Sequence, residues 1–109
     1  MRIAIALFDG AEELDFAGPW EVLAYWASQV ARAEVEVVTV AASLDPIRAA
    51  KGLRVLPDHL LGDAGDVDVF LMPGGRGTRA LLAVDEPLHV ALRAMAGRGT
   101  LMTSVCTGA

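Results

Sequence analysis

The chain has 109 residues, 54% of them hydrophobic, a net charge of −5 and one cysteine. That length allows at most one domain, no apolar run is long enough to span a membrane, and the acidic balance excludes nucleic acid as a partner of this segment. A lone cysteine excludes an internal disulfide framework, and the stretch Ile3–Phe8 is too short for a signal peptide, so a cytoplasmic protein is expected.

Arg2–Phe8 is an apolar run without polar alternation, the pattern of a strand covered on both faces in a parallel sheet. Asp9-Gly10 turns the chain, and Ala11–Phe16 reads as a loop carrying Glu12, Glu13 and Asp15. Gly18-Pro19 predicts a helix start with Pro19 in the first turn, and Val22, Leu23, Trp26, Ala27 and Val30 predict its buried face. Glu34–Val40 is the second predicted strand. Ile47–Ala50 and Leu53–Leu56, around Lys51-Gly52, predict two short strands of a hairpin or a sheet-edge excursion, and Pro57–Gly65 reads as a loop or a short helical turn. Asp66–Met72 predicts a strand that stops at Pro73-Gly-Gly-Arg-Gly77. A short helix over Thr78–Ala83 follows. Asp85 is the expected cap of a last helix that buries Leu88, Ala91, Leu92 and Met95 and ends at Gly97 and Gly99. Thr100–Val105 is the final strand, delivering Cys106. Strands alternating with helices imply a doubly wound α/β fold with a parallel sheet.

Ligands of such sheets collect beyond the carboxyl ends of the strands. Three loops leave those ends here: Asp9–Gly18, Pro73–Gly77 and Cys106–Ala109. A cysteine at a strand-to-helix bend suits a nucleophile, because the bend exposes sulfur, aims the next N–H at the same point and favours the thiolate. The same residue also suits a buried structural thiol. Gly74 and Gly75 let backbone N–H groups approach a ligand, or simply make a turn. Asp15 could cap the helix, or sit at the active edge and hydrogen-bond the cysteine. Glu12 and Glu13 are read as a solvated face. His59 and His89 show no partner spacing for a metal or a triad, and Trp20 and Trp26 are expected to pack or line an interface. No metal or cofactor is expected.

Taken together, Phe8-Asp-Gly-Ala-Glu-Glu-Leu-Asp-Phe-Ala-Gly-Pro-Trp-Glu-Val-Leu23, Leu71-Met-Pro-Gly-Gly-Arg-Gly77 and Thr103-Ser-Val-Cys-Thr-Gly-Ala109 resemble the ThiJ/PfpI superfamily, whose fold is like that of class I glutamine amidotransferases. The resemblance implies a flavodoxin-like sheet ending at the nucleophile elbow, with residues 1–109 the N-terminal part of a single domain. Such a part, taken alone, is expected to aggregate or to need its other half, because a strand edge and an apolar helix face are left uncovered. Within the superfamily the chain is most similar to isonitrile hydratases, which carry Asp rather than Glu at the acidic position and a Cys-Thr-Gly elbow. That likeness implies a small-molecule substrate, Cys106 as nucleophile, Asp15 as proton carrier, Thr107 as a stabilising group, and Gly74 and Gly75 as the polar cradle. Thr107 stands where protease-like members carry histidine, and Asp15 stands where glyoxal-processing members carry Glu, so those two activities are disfavoured. The resemblance also implies a homodimer. Two other functions stay open: the ligand-sensing N-terminal domain of an AraC-type transcription regulator, whose elbow is very similar, and a redox or carbonyl-stress protein with a reactive cysteine.

Overall fold

Five strands form one parallel sheet in the order β5-β2-β1-β6-β7. They are β1 (Arg2–Ala6), β2 (Glu36–Ala41), β5 (His59–Leu60), β6 (Val69–Met72) and β7 (Leu101–Ser104). A separate antiparallel hairpin joins β3 (Ile47–Arg48) to β4 (Arg54–Val55). The helices are α1 (Glu13–Trp26), α2 (Thr78–Val84) and α3 (Glu86–Gly97). This computed structural model describes residues 1–84 and 86–109. The expected cap at Asp85 lies outside the described residues. No described helix is long and apolar enough to cross a membrane.

The unbroken apolar run of β1 follows from its place at the centre of the sheet. Ala4 and Ala6 face a core that includes Val38, Val40, Phe70, Leu88 and Met95. Ile5 and Leu7 face a second core with Phe16, Ala41, Ile47 and Ala49. Burying a side chain as large as Phe70, which has no exposed surface, contributes about 1.5–3 kcal/mol. Leu88 and Met95 of α3 are buried in the first core, with Ala91 and Leu92 packed against it, as the helical spacing predicts.

Three expectations need correction. Helix α1 begins at Glu13, so Pro19 lies inside it and not in its first turn. A proline there has no N–H to donate to the carbonyl four residues back, which is that of Asp15. The buried face of α1 also differs. Phe16 and Ala27 are buried with Leu23 and Ala24 half-buried between them, whereas Val22 and Val30 are 66% and 69% exposed. Apolar residues surround this helix, so periodicity alone could not say which stripe meets the sheet. Third, Pro57–Gly65 contains the edge strand β5 in addition to the short helical turn expected there, a 3-10 turn at Leu61–Asp63. Two residues offer no alternation to read. The strand is held instead by Asp58, whose Oδ2 accepts from Thr39 N at 2.9 Å while its own N–H donates to Thr39 Oγ1 at 3.0 Å.

The chain runs from β1 outward to β2 and β5, then returns to the other side of β1 for β6 and β7. The reversal places a crevice between the carboxyl ends of β1 and β6, the position where open α/β sheets bind ligands.

Candidate active site

Strand β7 ends in a strained bend. Val105 is extended, and its N–H donates to Met72 O at 3.0 Å. Cys106 then takes a φ of 54° and opens a 3-10 turn, Cys106–Gly108, closed by Gly108 N–H donating to Val105 O at 2.9 Å. A side chain in this left-handed region costs about 1–2 kcal/mol, and it persists only where surrounding structure imposes it. Gly108 shows the imposition. A Cβ there would lie 2.1 Å from Met72 O and 2.8 Å from Pro73 O, so the turn is pressed directly onto the end of β6. Cys106 is free and exposed. This is the geometry of a nucleophile elbow.

The end of β6 contributes Pro73, Gly74 and Gly75. Gly74 N–H donates to Asp15 Oδ2 at 3.1 Å, and Gly75 N–H donates to Thr107 Oγ1 at 3.0 Å. Gly74 O accepts from Glu12 N at 2.9 Å. A Cβ on Gly74 would meet Thr107 N at 2.7 Å, Thr107 Oγ1 at 2.8 Å and Asp15 Oδ2 at 3.0 Å. Glycine is therefore required at 74 by contact. At Gly75 it is required by both contact and conformation, since φ is 117° and a Cβ would lie 2.5 Å from Gly10 O. All five residues singled out from the sequence thus converge: Asp15, Gly74, Gly75 and Thr107 are linked by hydrogen bonds, and Cys106 precedes Thr107.

Their roles within the cluster differ from expectation in two respects. Asp15 is neither a loop residue nor a cap. It sits in the first turn of α1, where its Oδ2 accepts from Gly74 N–H, and among the described residues no hydrogen bond joins it to Cys106 Sγ. The Gly75 N–H, expected to face a substrate, is occupied by Thr107 Oγ1. A hydroxyl that accepts from Gly75 still has its own hydrogen to give. Thr107 N–H has no acceptor among the described residues. Thr107 therefore keeps two donors, its N–H and its Oγ1–H, without an acceptor among the described residues.

The sequence reading missed Glu13 and Lys51. Glu13 is not solvated: its side chain is only 19% exposed, and Oε2 accepts from Lys51 N at 2.8 Å and Leu53 N at 3.4 Å. Lys51 Nζ is paired with Glu12 Oε1 and lies 3.8 Å from Glu13 Oε1. No local pattern marks these contacts, which join positions 38–40 residues apart. Desolvation raises the Glu13 pKa, but the N–H groups of Glu13, Lys51 and Leu53 and the Lys51 charge outweigh it and hold the carboxyl below its ordinary 4.5. The hydrogen bond to Glu12 raises the Lys51 pKa above its ordinary 10.5, against partial desolvation, with the charges of Glu12, Glu13 and Asp15 adding to the rise.

The signs fix a pH window for the docked hairpin. The Glu13 contribution is present above 4.5 and is lost as pH falls through its lowered value. The Lys51 contribution is present below 10.5 and is lost as pH rises through its raised value. Hydrogen exchange at Lys51 N–H and Leu53 N–H is expected to show protection, corrected for intrinsic rate, that falls at both limits. Protection that stays constant through the acid limit would contradict the Glu13 anchor.

His59 pairs with Val40 at the far edge of the sheet, and His89 lies on α3. Neither joins the cluster. Trp20 and Trp26 are exposed on α1. A cavity of about 370 Å³ opens beside Leu7, Phe8, Val40, Ala41, Ile47 and Leu81, and Cys106 is not part of its lining.

The DJ-1/PfpI family matches residues 1–109, the whole of the chain. The chain belongs to the DJ-1/PfpI family. It is 32% identical over 108 residues to isonitrile hydratase from Pseudomonas putida, covering 99% of this chain and 44% of that protein. A ThiJ/PfpI family protein from Pseudomonas syringae superposes with a TM-score of 0.81 at 29% identity, over 98% of this chain and 42% of that one. An AraC family transcriptional regulator from Pseudomonas putida superposes with a TM-score of 0.76 over 98% of this chain and 65% of that one, but at 16% identity, a likeness of fold alone. This DJ-1/PfpI chain spans less than half the length of the isonitrile hydratase it matches.

Proposed function

We propose that this chain carries the nucleophile side of a cysteine-dependent, isonitrile hydratase-like active site. The observation that carries the reading is the exposed Cys106 held at φ 54° directly before Thr107, whose hydroxyl is fixed by Gly75 next to the Asp15–Gly74 pair. The 32% identity to an isonitrile hydratase supports it.

Isonitrile hydration converts R–N≡C and water into R–NH–CHO. In the proposed sequence Asp15 accepts the thiol proton and the Cys106 thiolate attacks the terminal isonitrile carbon. The proton returns from Asp15 to that carbon, giving a thioimidate, R–N=CH–S–Cys106. Water then adds to the same carbon, one of its protons passing to nitrogen; as the C–S bond breaks the other passes from the hydroxyl to Asp15 and on to the sulfur, releasing the formamide and the Cys106 thiol. One water is consumed and no redox equivalent is needed. Thr107 N–H and Oγ1–H stabilise the charge that builds beside the sulfur, as preorganised donors do in acyl-transfer sites.

The test is formamide production from an aryl isonitrile by the full-length protein. Asp15→Ala is expected to lower turnover by about 10²–10⁴-fold, the usual range for losing a proton-transfer group. No formamide from the reduced protein sinks the reading. Ligand binding without turnover would then favour the sensor function, and ready oxidation of Cys106 by mild peroxide the redox one.

A further inference from the structure

The first turn of α1 carries Asp15, whose N–H donates to Glu12 O at 3.0 Å. Its N-cap residue, Glu12, makes no side-chain cap bond. Pro19 removes the donor that would have tied the Asp15 carbonyl into the helix. The turn is also held from outside. On one side Glu12 N–H and Asp15 Oδ2 grip Gly74. On the other stands the 47–55 hairpin. That hairpin meets the β1–α1 connection through Gly10 N to Arg48 O at 2.9 Å, Arg48 N to Asp9 Oδ1 at 2.9 Å, and Ala50 N to Ala11 O at 2.8 Å. Among the described residues, Glu13 alone carries a grip of the hairpin backbone into the helix. Its Oε2 accepts from two hairpin N–H groups, and its Oε1 is buried without a hydrogen bond, 3.8 Å from the Lys51 ammonium.

We propose that Glu13 is the positioning residue for Asp15: by locking the 47–55 hairpin onto the first turn of α1, it keeps the Asp15 carboxylate on Gly74 beside the elbow. A carboxylate suits this place because one oxygen can accept two backbone N–H groups while the other faces a cation. Both residues lie on the same helical turn, two positions apart, so a loosened Glu13 displaces Asp15 with it. The inference rests on the reading of Asp15 as the group that handles the Cys106 proton, and it adds a residue that touches neither substrate nor sulfur.

The experiment measures the pH–rate profile of Cys106 alkylation by iodoacetamide, which needs no substrate, in the full-length protein. Variants are Glu13→Ala, Glu13→Gln, Asp15→Asn and the double variant Glu13→Ala/Asp15→Asn. The charged groups around the clamp (Glu12, Lys51, Asp15 and the hairpin's Arg48) are left intact in both Glu13 single variants. Glu13→Ala is expected to displace the profile in the same direction as Asp15→Asn, and the double variant to match Asp15→Asn alone, because the two act as one unit. Glu13→Gln keeps one acceptor for Lys51 N and Leu53 N and is expected to fall between Glu13→Ala and the parent. It also serves if the alanine variant does not fold. With an isonitrile substrate, Glu13→Ala is expected to lower kcat by about 10–100-fold, the order of effect of a misplaced reacting group, with KM nearly unchanged. Glu13 profiles that coincide with the parent, or effects that add to those of Asp15→Asn, overturn the positioning role alone. An Asp15→Asn profile that coincides with the parent overturns the proposed function and this inference together. Coupled profiles in a protein that makes no formamide uphold the positioning role and reject only the substrate.

Discussion

Cys106→Ser is expected to reduce isonitrile hydration by at least about 10³-fold while leaving the fold intact. Losing a covalent nucleophile costs that much or more in enzymes that depend on one. A serine hydroxyl at this place is followed by Thr107 and not by a histidine. Stability should change little, within about 0.5 kcal/mol, because the thiol is exposed and unpartnered among the described residues. A companion pair of variants isolates the backbone strain. Cys106→Gly should be more stable than Cys106→Ala by about 0.5–1 kcal/mol, since alanine at φ 54° bears the left-handed penalty of about 1–2 kcal/mol and glycine does not, less glycine's extra entropy in the unfolded chain. Formamide yield and urea unfolding of the full-length variants check both statements. A Cys106→Ser protein that retains turnover would mean that the elbow sulfur is not the nucleophile. Equal stability of the glycine and alanine variants would mean that the bend is unstrained.

Gly108→Ala is expected to damage stability and activity together. Its Cβ would sit 2.1 Å from Met72 O, a backbone atom of a strand in the sheet, so no side chain can rotate out of the way. Overpacking of this kind costs about 1–3 kcal/mol. The elbow can relieve the clash only by lifting away from β6. That movement stretches the 3.0 Å bond between Gly75 N and Thr107 Oγ1 and shifts Cys106 relative to Asp15. A displacement near 1 Å at a reacting group costs about 10²-fold in rate. Urea unfolding and turnover should therefore fall in the same variant. Parent-like values of both would show that the Cys106–Gly108 turn is not packed on the end of β6. Gly97→Ala, in contrast, has open space around its Cβ and is expected to be tolerated.

The contrast between these positions shows where sequence reasoning reaches and where it stops. Strand β1 was legible because burial on both faces removes alternation and leaves a plain apolar run, and β2 and β6 as short hydrophobic runs bounded by turn signals; β7, an edge strand that is largely exposed, was legible from its place between Gly99 and Cys106. The hairpin was legible from Lys51-Gly52, and the position of the elbow from Cys106-Thr-Gly108. Helix α1 misled because Pro19 is both a common helix starter and, here, an interior residue. Its sheet-facing stripe was hidden by apolar residues around its whole circumference. Glu13 looked like one acid among three, and nothing within ten residues of it hints that Lys51 and Leu53 donate to it.

By itself, then, the sequence determined the parallel α/β class, the order of the elements, the family resemblance and the three loops that meet at one sheet edge. Those properties are encoded locally, in hydrophobic runs and in residues that turn the chain. Tertiary structure decided which partner each polar group of the site takes: Asp15 with Gly74 across 59 residues, Thr107 with Gly75 across 32, and Glu13 with the hairpin across 38–40. Hydrogen-bond partners of that separation are chosen by strand order and register, which bring distant backbone into contact, and no local pattern records them.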